Sequence, residues 1–377
     1  MSAWPGKYVI GLTGNIATGK SVVRRMLEHL GAYGIDADAL GHRAMAQGAP
    51  GYQAVVETFG KWVLAPDGQV DRGKLARVVF ADPEALASLE SIIHPFVAQA
   101  IDLLIRRSNH RVIVIEAIKL LESGLRAKCD SLWVTHAMQE IQLIRLMKKR
   151  GMNEALARQR ITAQLTQEEK ITAANVVIRN DGSFEDTWKQ VVAAWREQFP
   201  KADTGPLRPI KAARGEMAVQ RARPRQASEI AALITRLSAG KRKPGREDVM
   251  AAFGEKAYLL LNLGERTVGL MGWQVENLVA RTDEVYIEPT VPFVEAMRAL
   301  VEEVERASKE LQCEVALMFL PSDLASRKEV WDKLGYQERS IPSLLVRAWE
   351  EAAAESMPSG STLFFKQLRK DRVLRPV

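Results

Sequence analysis

An α/β fold, with parallel strands alternating with helices, is what this chain predicts, and three observations predict it. Short apolar runs at residues 7–12, 32–35, 111–115, 131–134 and 175–178 are separated by segments of helical periodicity. The first run leads into a glycine-bearing turn and then a helix-period segment at 20–30. The 377-residue length exceeds one ordinary domain, and the pattern changes character after a basic, proline-bearing stretch around 200–225.

Composition narrows the classes. A hydrophobic fraction of 47% and a charged fraction of 26% are those of a soluble globular protein. No apolar run reads as membrane-spanning, residues 1–5 lack a signal-peptide build, and the cytoplasm is the expected location. Cys129 and Cys313 stand far apart, which leaves neither a disulfide framework nor zinc-ligand spacing. The formal charge of +7 is concentrated in the Lys- and Arg-rich linker, so a nucleic-acid partner is set aside.

The turn after the first strand carries the chemistry. Gly14, Asn15, Ile16, Ala17, Thr18, Gly19, Lys20 and Ser21 fit G-x-x-x-x-G-K-[ST], with Val22 following in the helix. Such a loop wraps nucleotide phosphates with successive backbone N–H groups and points a positive helix end at them. Lys20 is then expected at the β/γ-phosphates of ATP, and the Ser21 hydroxyl on Mg²⁺. Asn15 is tolerable in a left-handed conformation, and Ala17 is acceptable only at negative φ.

Further along, the strand at 32–35 ends in Asp36-Ala37-Asp38, two carboxylates at the carboxyl end of a strand, where open α/β sheets bind ligands. Residues 38–108 have helical spacing throughout and include His94-Pro95. The strand at 111–115 ends at Glu116. A helix is predicted at 139–149, leading into a basic stretch, and a closing helix at 184–199 carries Trp188 and Trp195 on one face.

Taken in order and spacing, Gly11-Leu12-Thr13-Gly14, Gly19-Lys20-Ser21, Asp36-Ala37-Asp38, His94-Pro95, Leu120, Glu122-Ser123-Gly124-Leu125, Arg145-Leu146, Arg160-Ile161, Gln164 and Val177-Ile178-Arg179-Asn180 resemble dephospho-CoA kinases. The resemblance covers roughly residues 7–199. It implies a P-loop kinase parallel sheet with a helical substrate insertion and a lid at about 145–164. It also implies transfer of the ATP γ-phosphoryl group to the ribose 3′-hydroxyl of dephospho-CoA, giving CoA. Asp38 is the implied base, with an N-cap on the following helix as its ordinary alternative and Asp36 as the fallback. Arg145 is the implied lid contact to phosphate, and Asp36, His94 and Glu122 line the implied substrate side. The chain departs from the family at Asn15 and Ala17, where glycines are usual. Ile118-Lys119-Leu120 replaces Pro-Leu-Leu, Lys149 with Arg150 stands at a second arginine, and Asn175 replaces an Asp. Another small-substrate P-loop kinase and a catalytically silent interaction protein are the alternatives.

The second half has a helix at 228–237, a hairpin at 257–261 and 268–275, a strand at 285–289, a helix at 293–311, a strand at 314–320 and a helix at 326–334 stopped by Gly335. With Trp331-Asp332-Lys333-Leu334-Gly335-Tyr336, this order resembles α+β GNAT-type acetyltransferases. The expected division is residues 1–200, a basic linker at 201–216 and a GNAT-like domain at 217–377. Pro289 and Pro292, with Glu288 and no glycine, occupy the interval where that family cradles a pyrophosphate. The expectation is a retained fold without acetyl transfer, used for self-association or a protein partner. An active acyl-CoA-dependent N-acetyltransferase is the alternative.

Overall fold

A computed structural model describes residues 3–79, 81–200 and 217–374, the side chains at 149 and 150 aside. The expected linker at 201–216 lies outside the described residues.

The first half runs β1 (Tyr8–Thr13), α1 (Lys20–His29), β2 (Tyr33–Asp36), α2 (Ala37–Ala44), α3 (Tyr52–Phe59), α4 (Arg72–Val79), α5 (Pro83–Arg107), β3 (Val112–Glu116), β4 (Ser131–His136), α6 (Gln139–Arg150), α7 (Glu154–Thr162), α8 (Gln167–Ala173), β5 (Val176–Arg179) and α9 (Phe184–Gln198). The five strands are all parallel, in the order β2-β3-β1-β4-β5. Central parallel strands are covered on both faces, which is why they read as unbroken apolar runs. Successive side chains serve opposite layers. Val9, Ile113 and Ile115 pack with Leu40, Ile101 and Leu104 of the helical insertion. Ile10, Leu12 and Val114 pack on the other face with Met26, Leu27 and the α9 residues Val191 and Trp195.

Contrary to the sequence expectation, one described helix, α5, is long and apolar enough by composition to cross a membrane. Its stripe of Ile93, Val97, Ala100, Ile101, Leu104 and Ile105 is buried in the core instead.

The second half runs β6 (Met217–Arg221), α10 (Ala227–Leu237), α11 (Arg246–Ala252), β7 (Ala257–Leu263), β8 (Arg266–Glu276), β9 (Val279–Ile287), α12 (Phe293–Glu310), β10 (Val315–Leu320), α13 (Ser322–Ala325), α14 (Lys328–Leu334), β11 (Gln337–Glu338), α15 (Arg347–Ser356) and β12 (Thr362–Gln367). Its seven strands lie in the order β11-β12-β10-β9-β8-β7-β6, with β9 and β10 as the parallel pair. Gly335 stops α14 at φ 78, as expected of a C-cap glycine. The strand anticipated at 285–289 is the end of the longer β9. Its start was concealed by a two-residue turn, Asn277 (φ 51) and Leu278 (φ 64), in which leucine takes a conformation that favours glycine or asparagine.

That turn also joins the halves. Leu278 is buried in the first half's core cluster, together with Leu374. Arg25 of α1 pairs with Glu276 at 3.3 Å, and His29 at the end of α1 bonds the Phe253 carbonyl at 2.8 Å. Burial holds the His29 imidazole down to about 3, so the neutral ring donates from Nε2 to that carbonyl and accepts from Arg221 at Nδ1.

Candidate functional site

The loop between β1 and α1 is set by backbone conformation and by a ring of side chains behind it. Gly14 (φ 150) and Gly19 (φ 92) take conformations open to glycine, and an added Cβ would strike Thr135 at the first and Asn180 at the second. Asn180 Nδ2 donates to the Thr18 carbonyl at 2.9 Å, and Thr187 Oγ1 fixes the amide by donating to Asn180 Oδ1 at 3.0 Å. Gln164 Oε1 accepts from the Ile16 N–H at 2.8 Å. These contacts reach the loop from the turn after β5 and from the segment between α7 and α8, so distant chain positions share in shaping it.

Two expectations for the loop are corrected. Ala17 has φ 60 rather than a negative value, so the loop keeps its left-handed turn with a residue poorly suited to it. Asn15 is absent from the positive-φ residues; its fitness lies in its amide, which donates from Nδ2 to the Leu165 carbonyl at 3.0 Å.

Lys20 is only 8% exposed. Its ammonium is folded back on the Gly14 and Asn15 carbonyls at 3.1 and 3.2 Å. Ser21 is exposed in the first turn of α1, and Val22 beside it is half-buried. Arg145 is half-buried and donates to the Ala17 carbonyl at 3.1 Å and the Asn180 carbonyl at 2.7 Å. The Arg145 guanidinium of α6 thus reaches the loop, where an ordinary solvated helix face would have left it in water. The side chains of Lys149 and Arg150 lie outside the described residues.

Across from Lys20 stand the carboxylates. Asp36 is the N-cap of α2, accepting from the Ala39 N–H at 2.8 Å, so the capping alternative belongs to Asp36 and not to Asp38. Asp38 is left to face the site, with Oδ2 accepting from the Ile118 N–H at 3.1 Å. Burial raises the Asp38 carboxyl above its ordinary value, while Lys20 and the Ile118 N–H oppose that rise.

Two residues of this cluster were not among the sequence candidates. Glu116, buried at the carboxyl end of β3, is level with Leu12 of β1 and Asp36 of β2 and pairs with Arg24 at 2.7 Å. Burial raises its carboxyl, and the Arg24 charge opposes the shift. Its place at the end of a strand next to the loop strand was the available signal. Lys170 of α8 is 1% exposed and donates to the Ile118 carbonyl at 3.1 Å. In sequence it looks like any lysine on a polar helix. His94 and Glu122 are both exposed, the first on α5 and the second near enough to Lys170 to act on its charge. Among the described residues no group of three or more His, Cys, Asp or Glu is arranged to hold a metal ion.

A parallel sheet of this order, with a glycine loop and buried lysine between β1 and α1 and a carboxylate facing them, defines a P-loop phosphotransferase. The dephospho-CoA kinase family model matches residues 8–186. A dephospho-CoA kinase of Geobacter metallireducens is 43% identical over 196 residues, covering 51% of this chain and 98% of that protein. One from Aquifex aeolicus is 43% identical over 189 residues, covering 50% and 96%. The chain belongs to the dephospho-CoA kinase family. Among solved structures, a dephospho-CoA kinase from Campylobacter jejuni is 26% identical with a TM-score of 0.35, covering 51% of this chain and 97% of that one. A GNAT-family acetyltransferase from Staphylococcus aureus is 12% identical with a TM-score of 0.33, covering 41% of this chain and all of that one.

Proposed function

We propose that the first half, as a soluble cytoplasmic enzyme, transfers the γ-phosphoryl group of ATP to the ribose 3′-hydroxyl of dephospho-CoA, the last step of CoA synthesis. The observation that carries this reading is Asp38, hung on the Ile118 N–H opposite the Lys20 ammonium. In phosphoryl transfer the protein mainly positions reactants and neutralises charge. The backbone of residues 14–21 would wrap the phosphates, and Lys20 would swing from its carbonyls to the β/γ oxygens. Arg145 would add charge from the lid, and Asp38 would take the acceptor proton. Mg²⁺ is a hard cation that keeps water and phosphate ligands and needs few from protein, so the exposed Ser21 hydroxyl suits it. When bound it would neutralise phosphate charge. His94 and Glu122 belong to the acceptor side in this reading. Incubation with ATP and dephospho-CoA, beside nucleoside monophosphates, tests it: CoA formation supports the reading, and phosphorylation of the nucleotides alone overturns it.

For residues 217–374 the reading is a GNAT-like domain without acetyl transfer, serving self-association or a protein partner. Pro289 and Pro292 offer no N–H between β9 and α12, and Pro292 caps α12 without a side-chain bond. The Glu288 charge is offset by Arg236 and Arg266, which lie 3.4 and 3.3 Å from its carboxylate. The backbone argument therefore carries the reading. Thiol release from acetyl-CoA with a panel of amines tests it, and amine-dependent release would overturn it.

A further inference from the structure

Lys170 occupies a place that needs a reason. The Thr166–Glu169 capping box starts α8, and Gln167 ties that start to both backbone groups of Ala137. One helical step later, Lys170 is driven inward until its side chain is buried. A buried ammonium is costly unless something negative or strongly polar receives it. Lys170 donates to the Ile118 carbonyl at 3.1 Å, which Thr13 Oγ1 also reaches at 3.1 Å. The N–H of that same residue donates to Asp38 Oδ2 at 3.1 Å. Lys170 and Asp38 therefore hold opposite ends of one residue.

We propose that Lys170 is a positioning residue for phosphoryl transfer, fixing residue 118 as the mount of Asp38 and keeping that carboxylate ionised to accept a proton. This rests on the kinase reading above. As the ribose 3′-oxygen bonds Pγ, the bond from Pγ to the bridging oxygen breaks, ADP leaves with that electron pair, and the hydroxyl proton passes to Asp38. That step needs Asp38 ionised in a buried setting which by itself favours the protonated acid. The charged groups acting on it are Lys20 from α1, Asp36 at the cap of its own helix, Glu116 from β3 and Lys170 from α8, while Glu122 acts on Lys170. Lys20 must also serve the phosphates, so Lys170 is the ammonium left to the carboxylate. Isoleucine at 118 supplies the N–H that this bond needs, which a proline there would lack.

The test uses the full-length protein with Lys170→Met, Lys170→Arg and Ile118→Pro, measuring kcat and KM for ATP across the acid-to-neutral range. Lys170→Met is expected to lower kcat about tenfold to a hundredfold with the KM for ATP nearly unchanged. The acid limb of the profile should rise by about one pH unit. Lys170→Arg should recover much of both losses, since it keeps the charge. Ile118→Pro should shift the acid limb in the same direction, since it removes the N–H bonded to Asp38, and it serves if Lys170→Met does not fold. An unmoved acid limb in Lys170→Met and Ile118→Pro would overturn the proposal, as would equal behaviour of the Met and Arg variants. Failure of the wild type to make CoA would instead sink the kinase reading. In that event a carbon-13 titration of the Asp38 carboxyl in wild type and variants still decides the proposal, an unshifted titration overturning it.

Discussion

Arg43 Nη2 lies 2.6 Å from both carboxylate oxygens of Glu314, a buried ion pair between residues 271 positions apart. Glu314 is wholly buried at the start of β10 and also accepts from Trp349 Nε1 and the Val373 N–H, both at 3.2 Å. Arg43 adds a bond from Nη1 to the Asn277 carbonyl at 2.8 Å. Arg43 sits near the end of α2, the helix that Asp36 caps and that carries Asp38. The second half is thereby fastened to the helix that carries Asp38.

Removing one partner of a buried pair leaves a charge without compensation. Glu314→Ala is therefore expected to cost roughly 3–5 kcal/mol of stability in urea unfolding. Arg43→Met combined with Glu314→Leu should recover most of that loss. A single variant as stable as wild type would show that the pair is solvated in solution.

A chain ending at Phe199 is expected to fold and keep kinase activity with a lower Tm. The five parallel strands and their covering helices have core clusters of their own in this half. Arg43 would then face water, where an ion is solvated at little cost, but the cover that Leu278 and Leu374 give to the core would be lost. Unchanged Tm in the shortened chain would mean that the interface adds no stability.

Lys20→Ala should lower turnover by about 10²–10³-fold, the typical loss for one aimed donor at a developing charge. Because Lys20 is buried on two loop carbonyls, its removal should also cost about 1–3 kcal/mol. Calorimetry and initial rates separate the two effects, and normal turnover would exclude the proposed phosphate site.

Ala17→Gly is expected to stabilise the protein by about 1 kcal/mol. The left-handed turn costs alanine roughly 1–2 kcal/mol, and glycine returns part of that gain through its larger unfolded-state entropy. A fall in Tm would show that the Ala17 methyl group's packing beside Leu146 and Ile161 outweighs its backbone strain.

Asp38→Asn should retain ATP binding, lose phosphoryl transfer and raise Tm at neutral pH. The Asp38 carboxyl is raised in the folded protein above its ordinary value of 3.8. A raised folded value means that the folded state binds the proton more tightly than the unfolded one. The associated stability is present below the ordinary value and is lost as pH rises through the folded value. The advantage of Asn should therefore vanish in strong acid, and melts at acid and neutral pH check this. Asp36→Asn is the control, with the α2 cap largely kept and most turnover retained.

The P-loop, the five parallel strands and the placement of Asp36 and Asp38 at the carboxyl end of β2 were legible because each is local. A strand buried on both faces, a glycine turn and a helix start leave their signals within a dozen residues. In the second half α10, the β7-β8 hairpin, α12, β10 and α14 were legible, while β6, α11 and the start of β9 were missed before Gly335. Beyond it, α15 and β12 went unseen, because β12 offers only Leu363-Phe364-Phe365 as an apolar run and takes its place by pairing with β10.

By itself the sequence determined the chemistry available to this protein: a phosphate loop, its lysine, a carboxylate pair and the family to which they belong. Tertiary structure alone decided which carboxylate caps and which faces the site, since both stand in one Asp-Ala-Asp and only the start of α2 separates their roles. It also decided that Glu116 and Lys170 join them, and that the two halves meet through Leu278 and Glu314. These outcomes rest on burial and on bonds between residues far apart in the chain. A buried lysine and a solvated one are the same letter in sequence, and only the folded surroundings give them different energies.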